Sequence, residues 1–76
     1  MKIKILIETV PKVQKFVRIV SGLQHETIVE SGRYKIDACS LIGLFSLDLS
    51  KPVDLVIYED DYEVAKGLLS EFEVTE

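Results

Sequence analysis

The chain has 76 residues, 47% hydrophobic and 29% charged, enough for one domain with a single core and too little for two. Nine basic residues against thirteen acidic ones leave a net charge of -4, which argues against nucleic acid as a partner. The lone cysteine, Cys39, excludes an internal disulfide and a thiol-rich zinc site, and points to a reducing cytoplasm.

At the amino end Ile3, Ile5 and Ile7 recur with period two, so the segment reads as a half-buried strand rather than a signal peptide. No apolar run approaches the roughly 20 residues of a membrane-spanning helix, and no membrane partner is expected. Thr9 and Pro11 suit a helix start, and Val13, Phe16, Val17 and Val20 follow at helical spacing. The pattern predicts a helix over residues 10–21, closed by Gly22 in the left-handed conformation, with Lys12, Lys15 and Arg18 as a basic solvent face.

Residues 26–30 and 34–38 alternate around Ser31, Gly32 and Arg33, which predicts a β-hairpin. Ser40 then caps a short helix in which apolar side chains outnumber the positions of one buried face. Leu44 and Leu47 are expected inward; Leu41, Ile42 and Phe45 cannot all follow them, so at least two apolar side chains should be exposed, Ile42 and Phe45 foremost. A turn at residues 48–52 leads to a strand carrying Val53, Leu55 and Ile57. Glu59, Asp60 and Asp61 open a final helix whose buried side is expected to hold Val64, Ala65, Leu68, Leu69 and Phe72. Acidic residues crowd this end of the chain, through Glu71 and Glu73 to Glu76. The element order βαββαβα predicts an α+β open-faced sandwich: a four-stranded antiparallel sheet with three helices on one face, forming a single domain over residues 1–76.

The run Asp37-Ala38-Cys39-Ser40-Leu41-Ile42-Gly43-Leu44-Phe45-Ser46-Leu47 resembles the second-helix signature of HPr, the histidine-containing phosphocarrier family of the bacterial sugar phosphotransferase system. The spacing from Gly22 to Ser40 fits that family without gaps, and the element order is similar over nearly the whole chain. The resemblance implies an HPr-like fold and a role among phosphotransferase-system or regulatory proteins. It also implies a histidine followed by an arginine at the start of the first helix, and here the chain departs from the family. Glu8-Thr9-Val10-Pro11-Lys12 holds neither residue and forms a shorter loop, so no phosphohistidine is expected there.

His25, the only histidine, lies beyond the first helix and reads as a surface or partly packed side chain. Cys39 replaces a lysine common in the family and reads as a small inert residue; a divergent enzyme using Cys39 or the acidic cluster is the remote alternative. Ser40 matches the serine that the family's regulatory kinase phosphorylates in many Gram-positive bacteria, although a helix cap alone accounts for it. Glu59, Asp60, Asp61 and Glu63 read as partners of the helix dipole, with no metal or other cofactor expected. The leading reading is a non-phosphorylatable, non-enzymatic HPr-like interaction module, monomeric or weakly self-associating, that binds protein through Leu41, Ile42, Phe45, Lys12, Lys15 and Arg18. Its alternative is a phosphotransferase-system regulator phosphorylated on Ser40.

Overall fold

In the computed structural model, which describes residues 1–74, the alternation of Lys2 and Lys4 with Ile3 and Ile5 becomes strand β1, Lys2–Ile5. Glu76 of the acidic group lies outside the described residues. Helix α1, Val10–Val20, precedes the hairpin strands β2, Ile28–Ser31, and β3, Tyr34–Asp37. Helix α2, Leu41–Phe45, strand β4, Val53–Val56, and helix α3, Glu59–Leu68, complete the expected βαββαβα order. All pairings are antiparallel, and the strands lie in the order β1-β4-β2-β3. The helices cover one face, giving the open-faced sandwich that the element order predicts. None of them is long and apolar enough to cross a membrane.

The period-two isoleucines supply the sheet side of the core. Ile3, Ile5, Val29, Val53 and Leu55 are buried beneath Val13, Phe16 and Val20 of α1. Phe16 meets Phe72 edge to face, with ring centroids 6.5 Å apart. On the opposite face one row runs Lys4, Asp54, Glu30, Lys35 across the four strands. Glu30 sits 3.0 Å from Lys2 and 3.9 Å from Lys35. Lysines at both ends flank the two adjacent carboxylates, which keeps this row polar without a second layer. Each exposed pair contributes little stability; its value lies in solvation.

Local details depart from the periodicity at the end of α1 and along α3. Helix α1 ends with Ser21, still in right-handed geometry, whose N–H and hydroxyl both donate to the Val17 carbonyl. Gly22 is therefore not a left-handed cap; Gly32, at φ 59°, is the one described glycine with positive φ. It makes a two-residue turn with Arg33, the arrangement that matches the twist of a hairpin. In α3 the buried positions are Asp61 and Ala65, continued by Leu69 and Phe72, whereas Val64 and Leu68 are exposed. Val64 lies about 100° around the helix from Ala65, enough to carry it off the core.

Asp61 is buried for a reason the sequence pattern does not display. Its carboxylate accepts the His25 N–H at 2.9 Å and so ties the loop before β2 to the first turn of α3. The His25 ring packs on Tyr58, with centroids 4.7 Å apart, and its Nε2 lies 3.7 Å from Asp60. Asp61→Ala leaves the His25 N–H without its acceptor and is expected to cost about 1–3 kcal/mol in chemical denaturation. Asp61→Asn, which keeps an acceptor, should cost clearly less; equal losses would mean that the hydrogen bond is not what holds this loop.

Candidate docking surface

Helix α2 has only five residues, so its ends decide whether it forms. Ser40 is extended, at φ -90° and ψ 97°, and its Oγ accepts the Gly43 N–H at 3.2 Å. At the other end the Ser46 hydroxyl donates to the Gly43 carbonyl at 2.6 Å. Two hydroxyls thus satisfy groups that so short a helix leaves open. The middle of the helix is pressed onto β3: a Cβ on Gly43 would stand 2.6 Å from Ile36 Cγ2 and 3.0 Å from Ser40 Oγ. Glycine here serves close approach rather than an unusual dihedral angle.

With Gly43 against the sheet, Leu44 is the one α2 side chain that reaches the core, and Leu47 packs half-buried behind it. Leu41, Ile42 and Phe45 are left 40%, 88% and 47% exposed. Three large apolar side chains on one helical turn form a patch that a folded chain ordinarily covers.

The basic residues of α1 are placed differently from one another. Lys12 Nζ lies 2.6 Å from Glu8, and Lys15 Nζ lies 2.6 Å from Glu71. Ser21, on the other flank of α1, meets Cys39 at the approach to α2, Oγ to Sγ 3.5 Å. At about 100° per residue Lys15 and Ser21 stand some 120° apart around the helix. The structure therefore sets Lys15 toward the carboxyl-terminal segment. Arg18, exposed, lies between the two flanks.

The start of α1 is also occupied. Thr9 Oγ1 accepts the Lys12 N–H at 3.3 Å, and the Lys12 hydrogen bond holds the Glu8 carboxyl below its ordinary pKa. A carboxylate thus stands where an anion-binding helix end would need to be open. His25 lies at the start of α3 instead.

Cys39 and Ser21 share a cleft of about 290 Å³ with Val20, Leu23, His25 and Thr27. Ser21 Oγ donates to the Val17 carbonyl at 2.6 Å and meets Cys39 Sγ at 3.5 Å, a contact in which either atom can be the donor.

No family model and no curated protein sequence matches the chain. Among solved structures it is similar to the crystal structure of HPr-C-His from Thermoanaerobacter tengcongensis, with a TM-score of 0.77 and 27% sequence identity over 93% of this chain and 88% of that one.

The seating of α2 gives a double-mutant test. Gly43→Ala gains up to about 1 kcal/mol in helix propensity, yet the added methyl meets the stiff Ile36 side chain, and a net loss of about 1–3 kcal/mol is expected. Because the clash is with Ile36, Ile36→Ala should cost less in the Gly43→Ala background than alone, by about 1 kcal/mol or more in denaturation. Additive costs would mean that α2 is not seated on that side chain.

Proposed function

We propose that this chain is an HPr-like protein-docking module, related to the bacterial phosphoenolpyruvate-dependent sugar phosphotransferase system, that carries no phosphohistidine and performs no catalysis. The observation that carries this reading is the exposure of Leu41, Ile42 and Phe45 on a helix pinned at both ends. Apolar side chains on a rigid turn can be buried by a partner without the cost of ordering a flexible loop. The likeness to HPr-C-His supports a carrier-type scaffold.

Charge has a smaller part than the count of cations implies. Glu8 and Glu71 offset Lys12 and Lys15, so guidance of an acidic partner falls mainly to Arg18, with the two lysines at the edge of the surface. The engaged carboxylate of Glu8 and the remote His25 support the absence of a phosphate relay. A second reading, regulation by phosphorylation of Ser40, draws on the exposure of that serine and its place before α2. For the enzymatic reading with Cys39, the Ser21 contact offers no support, because a serine hydroxyl that donates to a backbone carbonyl is no base for the thiol.

Incubation with the phosphotransferase system's first enzyme and phosphoenolpyruvate should leave no acid-labile phosphate on the chain; phosphate on His25 would overturn this part of the reading. For docking, the wild type should bind that enzyme in an NMR titration. The Ile42→Ser, Phe45→Ser double variant should bind at least about tenfold more weakly, the equivalent of ~1.4 kcal/mol, with an unchanged circular dichroism spectrum. Equal affinities would remove α2 from the interface.

A further inference from the structure

The two edges of the sheet are treated differently. Along β1 the chain's own carboxyl-terminal segment is laid down: Leu6 N–H donates to the Phe72 carbonyl, Val74 N–H donates to the Lys4 carbonyl, and Ile5 bridges Glu73. The β3 edge has no strand beside it among the described residues. In the β2–β3 hairpin, Tyr34 and Ile36 lie opposite Ser31 and Val29, and Ala38 N–H continues the ladder to the Thr27 carbonyl. Since antiparallel pairing alternates, the backbone groups of Lys35 and Asp37 are the ones directed outward. The Asp37 carbonyl already accepts from Ser40 N–H at 3.0 Å and keeps a second lone pair. Asp37 N–H and both backbone groups of Lys35 complete an edge ready for another strand.

We infer that this edge pairs with the same edge of a second copy of the chain, antiparallel and centred on Ile36. Such pairing sets Lys35 opposite Asp37 of the second copy, and Asp37 opposite its Lys35. Both residues continue the rows of the helix-free face that carry Glu30 and Ile28; one Asp37 carboxylate oxygen accepts the Cys39 N–H at 2.9 Å, and the other is left for the cross-strand lysine. Sliding by two residues keeps the backbone in phase but places Lys35 against Lys35 in one direction and Asp37 against Asp37 in the other. Only the register centred on Ile36 matches opposite charges on either side of the two-fold axis, and cross-strand charge pairs of this kind stabilise while like pairs oppose. Charges on an edge strand commonly deter association; here their order is self-complementary. The symmetry is isologous, so the assembly closes at two copies and joins two four-stranded sheets into one of eight.

Four residues of edge bury far less than the ~800 Å² per partner of a standard interface, so the dimer forms only at high concentration. Sedimentation velocity from about 0.05 to about 2 mM should show a reversible monomer–dimer equilibrium. Lys35→Pro removes an outward donor without touching the β2 ladder, and should weaken association by about tenfold or more while preserving the circular dichroism spectrum. Register is read directly on the wild type. A mixture of ¹⁴N- and ¹⁵N-labelled chains treated with a zero-length carbodiimide cross-linker should give Lys35–Asp37 amides that join one light and one heavy peptide. Absence of association over this range, or a dimer that yields no mixed-isotope Lys35–Asp37 link, overturns the inference. So does association that Lys35→Pro leaves unchanged and Ile42→Ser, Phe45→Ser abolishes, because the contact then lies on α2.

Discussion

The close approach of Gly43 to Ile36 fixes what the rest of the α2 surface can do. A one-turn helix has no intrinsic stability in water and exists only where its ends and one side are held. Ser40 and Ser46 hold the ends, and the missing side chain at Gly43 lets the backbone settle against β3. Once it is seated, Leu44 is committed to the core, and the remaining apolar residues have nowhere to go but outward. The exposed patch is thus a consequence of how the helix is anchored. It is also rigid for the same reason, which suits a surface that recognises a partner by shape.

The scaffold leaves that surface free by keeping its other faces occupied. On the helix-free face of the sheet Glu30 is paired with Lys2 and Lys35, and the β1 edge is overlaid by residues 72–74. Asp61 and the His25 loop close the end of the molecule at α3. The start of α1, where phosphoryl chemistry would require an open anion site, is filled by Thr9 and the paired Glu8. Helix α2, on one side of the sheet's end, and the β3 edge beside it stay open.

Much of this was legible in the sequence because it depends on local periodicity. Period-two isoleucines, the Gly32 turn and the excess of apolar residues after Ser40 each constrain structure within a few positions. Face counting placed Leu44 inward and Ile42 outward without any knowledge of the tertiary fold. The features that escaped depend on partners far away in the chain. Lys15 is drawn to Glu71 and Asp61 to His25, separations over which no pattern in one sequence specifies contact. Gly22 follows a helix as a left-handed cap would, yet Ser21 closes that helix with its own hydroxyl. In α3 the hydrophobicity of Val64 and Leu68 misled, since the buried stripe was set by the small Ala65 and the polar Asp61. The close approach at Gly43 could have been suspected from a glycine inside an apolar helix, but its cause, Ile36, belongs to another element.

The central claim is that seating α2 on β3 divides its side chains into one that is buried and three that face solvent. Methyl-resolved NMR with a soluble gadolinium chelate tests this most directly, because relaxation enhancement falls steeply with distance from the probe's accessible volume. The account predicts strong attenuation of the Ile42 methyls, clear attenuation at Leu41, and none at Leu44, matching the core residues Ile5 and Leu55. Protection of Ile42 comparable to that of Leu44 would contradict it, since the helix would then have found a way to bury the residues on which docking depends.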